Sequence, residues 1–417
     1  MFQLPSVTEV DEMQAVWKAG VLEECTRLLE RERDEWKDVE LNVAVIGNSG
    51  VGKSSFINAI RGLNADDEGA AAVGVKETMV FEILSYEHPN NPMMKFWDLP
   101  GVGTVRFPRI TYLADIDVYD FFLLLNSTRM TENDTWLGNE IHKRNKKYFF
   151  VRTKIGVDIR HNRRARPRTH NEEAVIEEIR KSKEDQLRID GCDDVPVFVV
   201  DSYKPHKFDF EKLNQQLIKY FQEQSRTALI LSLKSDSQHM IQLKVAELRS
   251  LIWKSVAISA VGGAFRRHDI SLAMDQSLSI ITCEVMSYFK QLGLDSESLQ
   301  RYDKLYSVDY DKVQSLVRGA LRIQGEGEVS LEEMKSIVAR LMSSSWSLST
   351  ATAVKRQLPL IGSLIAAEML FRETESVLNL ILDKFEKTAI EVMKFVAVSV
   401  ASANEIETSG GSRILAR

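Results

Sequence analysis

The run Gly47-Asn48-Ser49-Gly50-Val51-Gly52-Lys53-Ser54 has the spacing G-x-x-x-x-G-K-S. Between a strand and a helix, such a run curls its backbone N–H groups around phosphate oxygens, because glycine lacks the Cβ that would block the curl. Lys53 then reaches the β- and γ-phosphates. Ser54 offers its hydroxyl to Mg²⁺, Ser55 belongs to the same cradle, and the dipole of the following helix favours the anion. Further on, Asp98-Leu99-Pro100-Gly101 ends an apolar run. An aspartate there serves Mg²⁺ through water, and the Gly101 N–H senses the γ-phosphate. Val102 occupies the position of a water-orienting glutamine, so hydrolysis needs another group or a partner. Between the two motifs lies Val73-Gly74-Val75-Lys76-Glu77-Thr78-Met79-Val80, where a switch loop belongs. Thr78 has a hydroxyl for Mg²⁺. Glu77 has an acceptor for a water or a ribose. Lys53, Glu77 and Thr78 are the candidate catalytic residues, and Ser54, Thr78 and Asp98 the candidate metal set.

A base reader is expected after the strand that ends Phe149-Phe150-Val151-Arg152. Guanine presents two donors, N1–H and N2–H₂, and one carboxylate accepts both, a charge-assisted pairing of about 1.5–3 kcal/mol. The loop reads Thr153-Lys154-Ile155-Gly156-Val157-Asp158, with glycine in the fourth place of a Thr-Lys-x-Asp tetrad. Thr153 and the Lys154 stem remain to cover the base. Asp158 serves only if the loop bulges by two residues. The second half of a base pocket falls on Asp201-Ser202-Tyr203, with Ser202 the candidate contact. Relaxed nucleotide choice, and a scaffold that binds nucleotide weakly, both stay open.

These residues need elements to hold them. Five short apolar runs, at 41–47, 93–101, 119–127, 146–154 and 195–202, read as strands buried on both faces of a mostly parallel sheet. Helical stretches such as 54–63 and 171–187 alternate with them, which predicts a doubly wound α/β domain over 41–224. Met13, Val16, Trp17, Val21, Leu22, Leu28 and Leu29 recur at helical spacing, so residues 1–40 read as amphipathic helices. From 225 to 403 the strand signals fade and helices take over. The reading there is one or two helices over 225–261, another over 274–294, and a final pair around 358–371 and 376–403. Ser330 with Glu333 fits a capping box. Residues 404–417 read as a flexible tail.

Composition narrows the class. The 417 residues are 44% apolar and 27% charged, which suits a globular chain of two or three domains. The net charge of −6 argues against a specific nucleic-acid partner. Cys25, Cys192 and Cys283 are far apart and in no metal spacing, which predicts reduced thiols and a cytoplasmic location. The first residues show no secretory leader and no Met-Gly start, and no apolar run reaches about 18 residues. Arg160, Arg163, Arg164, Arg166 and Arg168 crowd beside the base loop as a solvated face or a phosphate- or partner-binding patch. The apolar runs 256–265 and 358–371 read as core helices or membrane-contacting elements.

The motifs together resemble the immunity-related GTPases, the interferon-inducible, dynamin-like p47 group. The resemblance rests on Val151-Arg152-Thr153-Lys154, Trp97-Asp98-Leu99-Pro100-Gly101-Val102-Gly103, Tyr119-Asp120-Phe121-Phe122 and Phe56-Ile57-Asn58-Ala59-Ile60-Arg61-Gly62. Glu68-Gly69-Ala70-Ala71 and His206-Lys207-Phe208-Asp209-Phe210-Glu211 add to it. It is strong over roughly 40–225 and loose beyond. It implies a Ras-like P-loop G domain plus an all-helical domain built from both chain ends, with residues 1–40 packing on the helical part. It also implies GTP and GDP as ligands with Mg²⁺, and self-assembly through the G domains. Hydrolysis would quicken in the assembly, with Glu77 at the position of a glutamate that acts across the dimer. Gly52-Lys53-Ser54 places the chain with effector-type members, which associate with internal membranes. Gly156 is the departure from the family pattern.

Overall fold

The computed structural model describes residues 31, 34–74, 83–101, 116–192, 194–221, 223–235, 237–264, 270–306, 308–343 and 361–411. The chain divides into two compact units, one of Trp36–Lys234 and the other of Met1–Glu35 with Ser235–Arg417.

The first unit is built on one sheet. Its strands are β1 (Leu41–Gly47), β2 (Leu84–His88), β3 (Asn91–Asp98), β4 (Phe121–Asn126), β5 (Tyr148–Arg152) and β6 (Val197–Val199). The order across the sheet is β2-β3-β1-β4-β5-β6. All neighbours run parallel except β2, which pairs antiparallel with β3 at the edge. The expected strand runs are all present, and β2 joins them. Its residues alternate between half-buried and exposed, so Leu84-Ser85-Tyr86-Glu87-His88 lacks the continuous apolar run that marks the central strands.

The α-helices of this unit among the described residues are α1 (Lys53–Arg61), α2 (Glu132–Lys143), α3 (Ile155–Ala165), α4 (Glu172–Ile189), α5 (Phe210–Tyr220) and α6 (Glu223–Ser232). Ile46, Phe122, Leu124 and Phe150 pack with Leu137 and Ile141 of α2 in one buried cluster. Ile155, Ile159, Val175 and Val199 form a second, tying α3 and α4 to β6. Phe56 of α1 stacks on Phe210 of α5 with ring centroids 5.5 Å apart. α6 stays with the sheet rather than opening the helical part at 225. Ala228, Leu229 and Ile230 are buried, and the Ser232 carbonyl accepts from Asn90 Nδ2 at 3.1 Å.

Parallel strands bring their C-terminal ends to one edge. β1 lies between β3 and β4, so the chain reverses its direction of travel across the sheet there. Ligands of open α/β sheets bind at such a crevice. Gly47, Asp98, Asn126 and Thr153 each end or directly follow a strand on that edge, and Asp201 lies two residues beyond β6.

The second unit, where described, is helical: α7 (Gln238–Ala264), α8 (Ile270–Gln291), α9 (Ser296–Tyr306), α10 (Tyr310–Leu321), α11 (Leu331–Ser343) and α12 (Ile361–Gly411). Two expectations change. The final pair of helices is the single α12, and it runs on through 404–411, where a tail was expected. Nothing between 371 and 376 breaks a helix, since Arg372, Glu373 and Glu375 are good helix formers. Phe289 of α8 meets Phe385 of α12 at 5.4 Å, and Lys244 of α7 is buried with Nζ donating to the Gln291 carbonyl at 2.9 Å. Ser330 and Glu333 form the reciprocal bonds of a capping box at the start of α11. Residues 1–30 lie outside the described residues. Among the described residues, no helix is long and apolar enough to cross a membrane.

Candidate functional site

The loop from β1 to α1 turns at Gly52, which adopts φ 96° and ψ 31° as the N-cap of α1. A side chain there would be strained, so glycine is the residue the turn requires. α1 then starts at Lys53 with its first N–H groups open toward the loop. Lys53 Nζ donates to the Gly47 carbonyl at 3.3 Å and lies 4.0 Å from Asp98 Oδ1. Ser54 Oγ donates to Asp98 Oδ2 at 2.9 Å. Register explains the meeting, because Asp98 pairs with Val45 on β1, just before the loop. Burial lowers the Lys53 pKa and the Asp98 charge raises it again in part. Burial raises the Asp98 pKa, against the pull of Lys53 and the Ser54 hydroxyl. Both charges are therefore under-solvated at this separation, and an anion with a cation would give each a closer partner. Gly101 packs on the same loop. A Cβ on it would stand 3.0 Å from the Ser49 amide nitrogen, so any larger residue would have to push the loop by a few tenths of an ångström.

Asn48 turns its amide to the start of α2, where Nδ2 donates to Thr131 Oγ1 at 3.0 Å and Asp134 Oδ1 at 3.3 Å. Asn126 Nδ2 donates to Asp134 Oδ2 at 2.9 Å. Burial raises the Asp134 pKa, opposed by hydrogen bonds from Thr131 and Asn126. Asn48 was an expected phosphate-loop residue, whereas its partners Thr131 and Asp134, with Asn126, were not among the expected site residues. Thr131 and Asp134 do carry a readable signal, since they have capping-box spacing before a helix.

On the base side, Thr153 is buried. Its Oγ1 donates to the Val51 carbonyl at 2.6 Å and its N–H to the Asn126 carbonyl at 2.8 Å. Lys154 adopts φ 60° and ψ 27° as the N-cap of α3. A left-handed lysine costs about 1–3 kcal/mol, and Asn145, Phe208 and Arg322 adopt the same region elsewhere in the chain. Its Nζ donates to the Gly50 carbonyl at 2.6 Å and its Cε lies 3.7 Å from a Cβ built on Gly52, so the stem runs along the phosphate loop.

The two-residue bulge that would bring Asp158 to the base is not formed. α3 begins at Ile155, directly after Lys154, and Asp158 sits in its first turn. There its Oδ2 accepts from Arg152 Nη2 at 2.6 Å. Burial raises the Asp158 pKa, and Arg152 is the chief force lowering it. Helix geometry explains this: without a spare residue, the side chain falls on the face toward β5. Ser202 is half-buried in the turn after β6. Gly47, Gly50, Gly52, Ser55 and Val51 lie in the loop and the start of α1, beside Lys53 and Ser54. Glu77, Thr78 and Val102 lie outside the described residues. Of the arginine run, Arg160, Arg163 and Arg164 lie in α3, Arg166 is its C-cap and Arg168 follows in the turn, with Arg163 Nη2 3.9 Å from Glu172 Oε2.

A family model described as Interferon-inducible GTPase (IIGP) matches residues 6–395. Interferon-inducible GTPase 5 of Rattus norvegicus is 31% identical over 404 residues, covering 96% of this chain and 84% of that protein. Interferon-inducible GTPase 1 of Mus musculus is 32% identical over 308 residues, covering 73% and 74%. Among solved structures, the G domain of FeoB from Methanococcus jannaschii is 18% identical, covers 43% of this chain and 95% of its own, and gives a TM-score of 0.26. NFeoB from S. thermophilus bound to GDP·AlF4⁻ and K⁺ is 14% identical, covers 72% and 98%, and gives 0.29. Likeness that low adds nothing to the sheet order already described. The family model spans most of the chain and relatives above 30% identity align along it, so the chain belongs to the interferon-inducible GTPase family.

Proposed function

We propose that this GTPase binds GTP and GDP with Mg²⁺ at the C-terminal edge of its sheet, and hydrolyses GTP in an assembly of its own copies. One observation carries the reading: the phosphate loop is folded with Lys53 and Ser54 converging on Asp98. Lys53 holds the β- and γ-phosphates, and the N–H groups from Gly50 to Ser55 surround them. Ser54, Thr78 and Asp98 are the residues that would hold Mg²⁺. The ion supplies neutralisation of the charge on the phosphate oxygens. Gly101, packed against Asn48 and Ser49 of the loop, would offer its N–H to the γ-phosphate. Thr153 and Lys154 frame the base, and Ser202 borders it.

The donor set fits the ion, since a buried carboxylate and a hydroxyl already share one hydrogen bond at the end of β3. Glu77 orients water across a dimer, a role Val102 cannot fill, so turnover depends on self-association. The family resemblance supports that dependence, and with it a peripheral place on internal membranes. A second reading, relaxed base choice, draws on one fact: the Asp158 carboxylate is held by Arg152.

The test is phosphate release from GTP over a range of protein concentrations, with GDP binding read alongside. Specific activity should rise with concentration. Lys53→Ala should lose at least a hundredfold in GDP affinity at unchanged fold. A variant that binds and turns over normally would sink the reading.

A further inference from the structure

Gly156 is buried at the place where a Thr-Lys-x-Asp tetrad carries its carboxylate, and the space beside it is already taken. A Cβ built on Gly156 would fall inside the van der Waals envelope of Asp201 Oδ2 and lie 3.4 Å from Asp201 Cγ. A carboxylate therefore stands where the side chain of residue 156 would begin, but it comes from the turn after β6.

That turn is pinned beside the start of α3. Val200 N–H donates to the Arg152 carbonyl at 2.8 Å, and Ile155 N–H to the Val200 carbonyl at 3.4 Å. Lys204 N–H closes the turn onto the Asp201 carbonyl at 2.9 Å. Tyr203 N–H donates to Asp201 Oδ1 at 3.1 Å, which fixes the rotamer. Asp201 is 7% exposed, and its Oδ2 accepts no hydrogen bond from any described residue. Oδ2 therefore keeps its capacity to accept hydrogen bonds from a ligand. Asp158, the other acid of this loop, already has Arg152.

We propose that Asp201 is the guanine-reading residue of this chain. Its carboxylate accepts from N1–H and N2–H₂ of the base, standing in from the β6 turn for the side chain that position 156 lacks. Each carboxylate oxygen takes two hydrogen bonds, so Oδ1 can keep Tyr203 and still accept from the base. Gly156 and Asp201 form one device, in which the glycine clears the volume the aspartate fills. Adenine is rejected because its N1 is an acceptor and would face the carboxylate. Xanthine is rejected because its C2 carbonyl would do the same. This inference rests on the GTP reading above and names how that site chooses its base.

The experiment is calorimetric titration of the full chain with GDP, XDP and ADP in Mg²⁺, for the wild type, Asp201→Asn and Asp158→Asn. The wild type should bind GDP and discriminate against both others. Asp201→Asn should lose about tenfold to a hundredfold in GDP affinity and gain XDP, because a carboxamide N–H pairs with the C2 carbonyl of xanthine. A gain of ligand cannot come from misfolding. The proposal is overturned if Asp201→Asn keeps the wild-type preference for GDP over XDP, or if the switch appears in Asp158→Asn instead. A guanine-selective wild type whose Asp201→Asn does not switch leaves the GTPase reading standing and removes Asp201. A wild type that binds ADP as well as GDP removes Asp201 as base reader and favours relaxed base choice at the same phosphate site, and one that binds neither removes both.

Discussion

Lys183 of α4 is buried, and its Nζ donates to the Thr128 carbonyl at 2.5 Å just beyond β4. Its pKa is lowered from 10.5 to about 8, by burial first and then by Arg152, while Asp134 and Asp158 pull the other way. The folded chain thus gives up this proton more readily than the unfolded chain. Between about pH 8 and 10.5 the unfolded state binds more protons, so this group's contribution to stability rises with pH across that window. Urea unfolding of wild type and Lys183→Met at pH 7.5 and 9.5 checks the sign. The difference between them should move in favour of the wild type at the higher pH, and no movement would contradict the assignment. The same arithmetic was open to no reading of the sequence, where Lys183 is one lysine in a charged helical stretch. Lys53 differs, because its neighbours in sequence already define its environment.

α2 shows how a helix end is recruited to the site. Thr131 is its N-cap, accepting from the Asp134 N–H, while the Thr131 N–H donates to the Asp134 carboxylate at 2.9 Å. Asn48 of the phosphate loop docks on the same pair. Thr131→Ala should cost about 1–2 kcal/mol in urea unfolding, with Thr131→Ser recovering most of it. A cost near zero would mean the cap contributes nothing beyond water. The capping spacing was legible beforehand, but its use by Asn48 was not, because residues 48 and 131 meet only across β1 and β4. The central strands were legible for a different reason. Strands covered on both faces must be apolar throughout, whereas edge strand β2 carries a half-exposed pattern that resembles loop.

For the chain as a whole, the unit of Trp36–Lys234 holds every described candidate residue. A ligand that binds only this folded unit stabilises it by about 2.7 kcal/mol at a hundred times its Kd. For a unit of this size that corresponds to a rise of about 5–10 °C in its melting transition. Scanning calorimetry with Mg²⁺ and GDP should show that rise, and Lys53→Ala should abolish it. An unshifted transition in the wild type at saturating GDP would contradict nucleotide binding at the sheet edge.

The phosphate loop, the Asp98 turn, the alternation of strand and helix and the helical second half were all set by local spacing, because each is a pattern of near neighbours in the chain. The choice of carboxylate at the base site was not. Along the chain Asp158 stands nearest to the missing tetrad position and Asp201 stands far from it. Once β5 and β6 pair, Arg152 takes Asp158 and the turn after β6 delivers Asp201 to the space above Gly156. Sequence distance could not rank the two acids. Sheet pairing and the start of α3 did, because they decide which side chain shares a volume with which.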